Sequence, residues 1–548
     1  MRKLPEVAGP YFFGVHAGWD TQMMINFSRM RFLVVDDFSE FRSSIRGVLG
    51  LLAVQQIDMA ANGEEVLELC RRNRYDVILH DYNLGKGASG QQILERLHAE
   101  RLLSPHCIFI MVTAENTQAM VLAALECEPD DYLSKPFSKV ALQTRLERMV
   151  RRKRVLAPVL TAVEAGDNEQ VIQACQAIEA EDQRHAVLCQ RYKADALFLL
   201  GRYTELEKML EQQVRSRPAN WNVQRLARLW LQQGRYQQLT PLLDAAMRQF
   251  PLMPELYDIQ AQMYANENDL KSMVRALQQA VALSPNTLRR QISLAQHAWL
   301  AGEKDIAAHA IRQCWENGRY SIAFDVELLW QLSSILLTNN RGRAAEELQN
   351  WLKLLERRDM QTPLLLPAIR LLRLILEEQK QGDSIQAQEV ADRICMQLDG
   401  YTAVTLLQLG DWLQQLGQAA AAARCWQACA DRHEAVTGVP EQLEMRLGGY
   451  SAGVAIRRTQ KMREAVALQL NEQPEQAAGL LHQLLQEQPK QIALNMAAIQ
   501  LYIGHAAGDT AAMTSLKECL QRIGRLSPLE PDALEFSRLN NPLEKRAW

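Results

Sequence analysis

The sequence predicts two regions of different fold class, an α/β region built on a doubly wound parallel sheet and then an all-α helical solenoid. Between Arg31 and Val150, five short apolar runs alternate with segments of helical periodicity, as in strands joined by crossover helices. From about Leu156 onward nearly every segment has helical periodicity, and turn residues recur with a period near 34. The length of 548 residues also suits more than one domain, since a domain commonly has about 100–200.

The predicted elements of the first region follow one another in strict alternation. The strands are Phe32–Val35, Gln56–Met59, Val77–Leu79, Ile108–Val112 and Tyr132–Leu133. The helices are Phe41–Leu52, Gly63–Arg72, Gly90–Glu100, Thr117–Leu125 and Ser138–Arg151. In such a sheet ligands bind outside the carboxyl ends of the strands, so the residues that follow the strands are the functional candidates.

Polar side chains follow four of these strands and would meet at one rim. They are Asp36 and Asp37 after the first strand, Asp81 after the third, Thr113 after the fourth and Lys135 after the fifth. Three clustered carboxylates repel one another unless a cation shares them, and Mg²⁺ is the usual oxygen-ligated ion. Asp81 is then the best nucleophile for a phosphoryl donor, with Lys135 neutralising the phosphoryl oxygens. The alternative for each acid alone is a helix cap or a turn.

These motifs resemble the CheY-like receiver domain of two-component response regulators, which has a flavodoxin-like fold. The matching text is FLVVDD at 32–37, AANGEEVLEL at 60–69, DVILHDYNL at 76–84, MVTA at 111–114 and DYLSKPF at 131–137. The resemblance covers all of residues 31–150. It implies a sensor histidine kinase or a phosphotransfer protein as the partner that phosphorylates the chain.

The resemblance also implies a role for each matching residue. Asp81 is the phosphoacceptor, and Asp36, Asp37, Asp81 and the backbone carbonyl of Asn83 hold Mg²⁺. Lys135 contacts the phosphoryl group, Thr113 is the switch hydroxyl, Tyr132 is the switch aromatic, and Pro136 follows a cis peptide bond.

Three departures from the family pattern change the surroundings of these residues. The segment Tyr82–Gly87 lacks the common Met-Pro turn, and Glu128-Pro129 replaces Gly-Ala. His80 next to the acceptor is unusual. We expect a packed or hydrogen-bonded strand histidine there, with a role in tuning phosphorylation as the alternative.

Residues at fixed spacing mark a repeat in the second region. Gly201, Gly234, Asn268 and Gly302 are each preceded by an alanine seven positions earlier, at Ala194, Ala227, Ala261 and Ala295. Pro218, Pro251 and Pro285 follow the first three of these turn residues by 17 positions. The pattern resembles the tetratricopeptide repeat, with LLGRY at 199–203 as its clearest text, and a degenerate unit at 407–423 contains Gly410, Gly417 and Ala422. We expect nine or ten units in a right-handed solenoid.

A solenoid of this kind presents an extended concave surface to a protein partner that the sequence does not identify. The register places these side chains on that surface: Arg191, Asp195, Gln224, Arg228, Glu255, Asp258, Gln262, Arg289 and Gln296. Their mixed charges argue against a simple clamp for one carboxylate or a polyanion. The alternative is an ordinary solvated face.

Composition excludes several classes of function. The chain has 61 Lys and Arg against 64 Asp and Glu, so no nucleic-acid partner is expected. The basic run from Arg145 to Arg154 is interpreted as a solvated helix end and linker, with contact to the acidic receiver rim or to the first repeats as the alternative. Apolar stretches are too short for a membrane span, and residues 1–30 lack a secretory h-region. Cys425, Cys429 and His433 share a helical face, but a closed zinc site needs four ligands.

We therefore divide the chain into an N-terminal extension (1–30), a receiver domain (31–150), a basic linker (151–156), helical repeats (157–526) and a C-terminal tail (527–548). The predicted function is that of a cytoplasmic response regulator, not an enzyme, whose output is protein binding. One alternative is a transcription regulator with an unrecognised DNA-binding segment, and another is an enzyme hidden in the C-terminal repeats.

Overall fold

The computed structural model describes residues 25–85, 87–114, 129–339, 345–357, 360, 362–377, 384–505, 510–524, 526–530, 533 and 536. The predicted helix Thr117–Leu125 and most of the predicted N-terminal extension and C-terminal tail lie outside these residues.

A five-stranded parallel sheet forms the centre of the first region. Its strands are β1 (Arg31–Val35), β2 (Gln56–Ala60), β3 (Val77–Asp81), β4 (Ile108–Thr113) and β5 (Asp131–Ser134), in the spatial order β2-β1-β3-β4-β5. Each predicted strand is present and is one or two residues longer than predicted. In the strand register Val35 lies beside His80, Asp81 beside Val112 and Thr113 beside Ser134. The carboxyl ends of β1, β3, β4 and β5 therefore lie together.

Helices cover both faces of this sheet, as a doubly wound fold requires. They are α1 (Ser39–Gly50), α2 (Gly63–Arg72), α3 (Gly90–Ala99) and α4 (Lys139–Val155). Leu49 of α1 and Leu142 of α4 pack with Phe32 on one face, and α2 and α3 pack on the other. Asn62, Ser89 and Ser138 start their helices by accepting a hydrogen bond from a backbone N–H of the first turn.

Residues 151–156, predicted as a basic linker, are helical instead. Helix α4 continues to Val155, and the next helix begins at Ala157. The run is also not simply solvated. Arg152 lies 2.8 Å and Lys153 3.1 Å from Asp130, while Arg145 and Arg148 both pair with Asp131. Arginine and lysine are good helix formers, and acids at the start of β5 neutralise them.

The rest of the described chain is helical. The first ten helices are α5 (Ala157–Ala165), α6 (Asn168–Glu181), α7 (Ala186–Leu199), α8 (Tyr203–Ser216), α9 (Asn220–Gln232), α10 (Tyr236–Gln249), α11 (Pro254–Asn266), α12 (Leu270–Leu283), α13 (Leu288–Leu300) and α14 (Lys304–Gly318). They are followed by α15 (Glu327–Asn339), α16 (Ala345–Leu355), α17 (Leu366–Glu377), α18 (Ser384–Cys395), α19 (Ala403–Gln415), α20 (Ala419–His433), α21 (Val439–Glu444), α22 (Ala452–Leu470), α23 (Pro474–Glu487), α24 (Ile492–His505) and α25 (Thr510–Ile523). Among the described helices, none combines the length and the apolar character needed to cross a membrane.

Helical hairpins repeat along this region at the predicted turn positions. The backbone is left-handed at the four predicted turns, with φ of 71° at Gly201, 69° at Gly234, 59° at Asn268 and 82° at Gly302. The four predicted alanines are each at most 1% exposed, and they are Ala194, Ala227, Ala261 and Ala295. Small side chains there let neighbouring helices approach closely.

The C-terminal helices fold back onto the first hairpins. This contact was not expected from an extended solenoid. Arg463 of α22 donates to the carbonyls of Ala265 and Asn266 at the end of α11. Gln442 donates to the carbonyl of Leu300 at the end of α13 (3.1 Å), and Glu472 accepts from the backbone N–H of Thr204 (3.0 Å). Helix ends leave carbonyl groups without intrahelical partners, and this returning segment satisfies several of them.

The start of the predicted C-terminal tail is also packed. Ser527 donates to the buried carboxyl group of Glu327 in α15 at 2.9 Å, and Leu529 is 4% exposed. Burial raises the pKa of Glu327, which also accepts hydrogen bonds from Thr402. Residues 527–530 therefore belong to the helical core.

His433 gives this region a predictable dependence on pH. The ring is fully buried, with Nε2 at 3.2 Å from the carbonyl of Tyr401 and Nδ1 at 3.5 Å from Glu530. Burial, with the nearby Arg432, lowers the pKa of His433 to about 3. Below about pH 6.5 the unfolded state therefore binds a proton that the folded state does not bind. As a result, the free energy of unfolding decreases as the pH is lowered.

We expect the free energy of unfolding to fall by about 1.4 kcal/mol for each pH unit from pH 6.5 down toward 3 because of this group alone. Chemical denaturation measures the free energy of unfolding at pH 7 and at pH 4.5. Between these pH values His433→Gln, which keeps a donor for Tyr401, should lose less of it than the wild type. Equal losses in the two proteins would contradict the assignment. Other buried histidines are common to both and cancel in the comparison.

Candidate functional site

Three carboxylates meet at the carboxyl ends of β1 and β3. One oxygen from each of Asp36, Asp37 and Asp81 lies within 4.8 Å of the others. Asp36 is fully buried, Asp81 is 6% exposed and Asp37 is half-buried. The parallel register of the two strands brings these residues together although 44 positions of sequence separate Asp37 from Asp81.

Lys135 bridges two of the three carboxylates. Its Nζ lies 2.5 Å from Asp36 Oδ2 and 2.7 Å from Asp81 Oδ2. The ring of Phe41 lies 4.0 Å from the same ammonium, which adds a cation–π contact on its other side. With all three acids ionised, one ammonium leaves a net charge of about −2 in a largely buried space.

Burial raises the pKa of Asp81 to about 6, against the opposing effect of the hydrogen bond from Lys135, and the neighbouring Asp36 adds to the rise. A carboxyl group with a raised pKa is more basic, and therefore more nucleophilic when ionised, than a solvated aspartate. The burial of Asp81 thus suits a nucleophile.

The acidic group fits a hard divalent cation. Among the residues that the structure describes, none makes a hydrogen bond to the buried Oδ1 of Asp37, while the other two acids accept from Lys135. A Cβ added to Gly85, which has φ of 67°, would lie 2.9 Å from Asp37 Oδ2, so the chain passes close to this carboxylate. Oxygen ligands and uncompensated negative charge are what Mg²⁺ binds in proteins.

The other predicted site residues surround this group. Asn83 donates its backbone N–H toward Asp81 Oδ1 at 3.4 Å. Thr113 is 1% exposed at the end of β4, and its carbonyl accepts from the N–H of Lys135 at 2.7 Å. Tyr132 is partly buried against the cluster under α2 and α3. The Lys135–Pro136 peptide bond is cis, as the resemblance implied.

His80 is packed and hydrogen-bonded, as expected. Its ring stacks on Phe109 with 5.7 Å between the centroids, and Nδ1 lies 2.7 Å from the carbonyl of Asp81. Burial lowers the pKa of His80 to about 4, so the ring is neutral at pH 7 and Nδ1–H is the donor to that carbonyl. The bond ties the backbone of Asp81 to the core, while the alternative of tuning phosphorylation stays untested.

Comparison with known proteins agrees with this site. Residues 32–147 match the family model described as "Response regulator receiver domain". Residues 32–147 form a response regulator receiver domain. The match covers about a fifth of the chain, and the helical region is outside it.

Chemotaxis proteins are among the relatives of the receiver domain. Chemotaxis protein CheY-3 of Vibrio cholerae is 28% identical over 123 residues, which are 22% of this chain and 93% of the relative. Chemotaxis protein CheY of Pseudomonas aeruginosa is 29% identical over 123 residues, covering 98% of its length. Among solved structures, the BeF3-activated DrrB receiver domain is 25% identical, with a TM-score of 0.20, and the match covers 22% of this chain and 97% of that one.

Two of the acids predicted for the concave face of the helical region pair with arginines that were not predicted for it. Arg225 donates to Asp195 at 2.6 Å, and Arg290 makes a two-pronged ion pair with Asp258. Desolvation lowers the pKa of Arg228 even though its side chain reaches the surface, as expected in a concavity. The other six have these exposures: Gln262 and Arg289 are exposed, and Arg191, Gln224, Glu255 and Gln296 are half-buried.

Sequence reasoning missed several contributors to these sites. Phe41 contacts the Lys135 ammonium from α1 and Gly85 lies against Asp37 from a loop, and neither was predicted as a site residue. Arg225 and Arg290, which pair with predicted acids one hairpin earlier, were omitted although each directly follows a residue that was included. An arginine and an acid separated by about one repeat length in the sequence could have predicted these two ion pairs.

Proposed function

We propose that this chain is a response regulator of a two-component phosphorelay, phosphorylated on Asp81 by a histidine kinase or a phosphotransfer protein, with protein binding as its output. The observation that carries the proposal is the group of three carboxylates at the strand ends of a receiver domain, two of which are buried and bridged by Lys135. Mg²⁺ held by Asp36, Asp37, Asp81 and the backbone carbonyl of Asn83 is part of the proposal.

In the proposed reaction an oxygen of Asp81 attacks the phosphorus of the donor. A P–O bond to Asp81 forms while the P–N bond of a phosphohistidine, or the P–O bond of acetyl phosphate, breaks, and the leaving group takes the electron pair. Lys135 exchanges its contact with Asp81 for one with the new phosphoryl oxygens. A cation held by the three carboxylates would supply positive charge to those oxygens. Thr113 then moves toward the phosphoryl group, and Tyr132 turns inward.

The helical hairpins support a binding output. Left-handed turns and buried alanines at the spacing of the tetratricopeptide resemblance favour a scaffold that binds a protein segment. The proposal places the protein in the cytoplasm, where kinases of this class act, and assigns it no catalysis beyond assisting its own phosphorylation.

Incubation with acetyl phosphate and Mg²⁺ tests the site. We expect intact mass spectrometry to show one added phosphoryl group on the wild type and none on Asp81→Asn. Asp58→Asn removes a carboxylate of the same domain, on β2 and outside the acidic group, and should be labelled like the wild type. Labelling of Asp81→Asn to the wild-type level would overturn the assignment of the acceptor.

A further inference from the structure

His80 comes directly before the proposed phosphoacceptor in β3, and its ring lies in the interior of the receiver domain. The residue is 0% exposed, and the ring stacks on Phe109 of β4 with 5.7 Å between the centroids. Nδ1 of the ring lies 2.7 Å from the backbone carbonyl oxygen of Asp81. Because a carbonyl oxygen can only accept a hydrogen bond, Nδ1 carries the proton and donates it.

The other ring nitrogen of His80 has no comparable contact. In the part of the chain that the structure describes, no hydrogen bond reaches the buried Nε2. A buried polar atom without a partner raises the free energy of the folded state, and an apolar ring stacked on Phe109 would avoid that cost. The contact in which histidine differs favourably from an apolar residue at this position is therefore the hydrogen bond to Asp81.

The carbonyl that accepts this bond belongs to the peptide group that joins Asp81 to Tyr82 at the end of β3. The N–H of the same peptide group donates to the carbonyl of Val112 in β4 at 2.8 Å. The next carbonyl, that of Tyr82, accepts from the N–H of Gly90 at the start of α3, also at 2.8 Å. Both sides of the Asp81–Tyr82 peptide group are thus held, one by the sheet and the other by the imidazole.

Close packing encloses the bond between His80 and the carbonyl of Asp81. A Cβ added to Gly90 would lie 2.6 Å from that carbonyl oxygen, 3.0 Å from Nδ1 of His80 and 2.8 Å from Sδ of Met111. These distances are shorter than non-bonded atoms normally approach, so α3 begins directly against the bond. With an apolar ring in place of the imidazole, this space would leave little room for a water molecule to replace the donor.

The held peptide group carries the reacting side chain and leads into the proposed cation site. Oδ2 of Asp81 lies 2.7 Å from Nζ of Lys135, and Oδ1 lies 3.4 Å from the backbone nitrogen of Asn83. Rotation of the Asp81–Tyr82 peptide group would therefore turn both the carboxylate and the backbone of Asn83. Misplacement of a reacting group by about 1 Å can slow a reaction about 100-fold.

We propose that His80 is a positioning residue for phosphorylation, which holds the Asp81 carbonyl so that the Asp81 carboxylate and the Asn83 backbone keep the orientation that the reaction needs. This inference rests on the proposed function. The imidazole neither touches the phosphoryl group nor exchanges a proton with it. Its effect passes through the backbone of Asp81 alone.

Three full-length variants separate the hydrogen bond from the packing of the ring. His80→Asn keeps an N–H donor near the position of Nδ1, whereas His80→Phe keeps a ring beside Phe109 and removes the donor. Tyr75→Phe is the matched control, because it removes another buried donor of the same domain, which bonds Asp58 at 2.8 Å outside the acidic group. If His80→Phe does not fold, His80→Val takes its place in the comparison, since valine suits a buried strand.

Two measurements are made on each protein. Intact mass spectrometry gives the initial rate of labelling by acetyl phosphate at saturating Mg²⁺, and hydrogen exchange of the Tyr82 and Asn83 amides is followed in EDTA without a phosphodonor. For His80→Phe we expect labelling to be about tenfold slower, an unchanged acetyl phosphate concentration at half-maximal rate, and amide exchange about tenfold faster. His80→Asn and Tyr75→Phe should stay within about twofold of the wild type in both measurements.

Labelling of His80→Phe at the wild-type rate would overturn the proposal. Equal slowing in His80→Asn and His80→Phe would also overturn it, because the hydrogen bond would then not be the cause. Equal slowing in Tyr75→Phe would do the same, since it would trace the effect to lost stability. All three results leave the proposed function standing, whereas absence of labelling on Asp81 in the wild type would overturn the proposed function and the role of His80 together.

Discussion

Replacing Lys135 with methionine should make the stability of the receiver domain strongly dependent on Mg²⁺. The substitution removes the ammonium that lies 2.5 Å from Asp36 and 2.7 Å from Asp81, so the two buried carboxylates lose the cation that they share. Breaking a buried ion pair in this way costs about 3–5 kcal/mol. A divalent cation that binds the folded state alone would recover part of this loss by mass action.

Thermal unfolding of the receiver transition, measured with EDTA and with millimolar Mg²⁺, tests this expectation. The midpoint should rise with Mg²⁺ more in Lys135→Met than in the wild type, while labelling by acetyl phosphate should be lost. Lys153→Met is the matched control, since Lys153 pairs with Asp130 and donates to the carbonyl of Pro105, outside the acidic group. The same Mg²⁺ response in all three proteins would show that the carboxylates do not share a cation.

Replacing Gly410 with alanine should destabilise the helical region by about 3 kcal/mol or more. A Cβ at this position in α19 would lie 2.1 Å from Nε1 and 2.6 Å from Cδ1 of Trp426 in α20. Trp426 is 8% exposed, so its ring has little room to move, and its Nε1–H donates to the carbonyl of Leu407. Either the two helices separate or the indole leaves its site.

Gly479→Ala is the control for this substitution. It lies inside α23, and a Cβ there would meet nothing within 4 Å, so alanine should be neutral or stabilise by up to about 1 kcal/mol through its helix propensity. Urea denaturation of both variants measures the difference. If Gly410→Ala is as stable as the wild type, that result would contradict the close packing of α19 against Trp426 of α20. Adding Trp426→Leu should recover part of the loss, because the clash is specific to the ring.

The sequence predicted the receiver domain well, because its signals are local. Each strand is a short apolar run, and the parallel arrangement makes the residue after each run lie at one rim. Asp36, Asp81 and Lys135 meet there. The helical turns were also predicted well, since a left-handed backbone strongly favours Gly or Asn, as at Gly201 and Asn268.

The contacts that cross from one region to another could not be predicted in this way. Phe41 against Lys135, Arg463 at the end of α11, and Gln92 against Asn317 join residues with ordinary sequence surroundings. The sequence could not decide between a solvated basic run and one that contacts acidic residues for the same reason, because only the folded chain places Asp130 and Asp131 beside it.

The sequence by itself determined the two fold classes, the acidic rim and the positions of the first four predicted hairpin turns, because each depends on residue type at a local spacing. The tertiary structure decided that the helical region folds back on itself and that the receiver domain is seated on α14. Those features depend on unpaired carbonyl groups at helix ends and on single side chains such as Arg463 and Gln92, which can donate to many acceptors and find their partners only after the chain has folded.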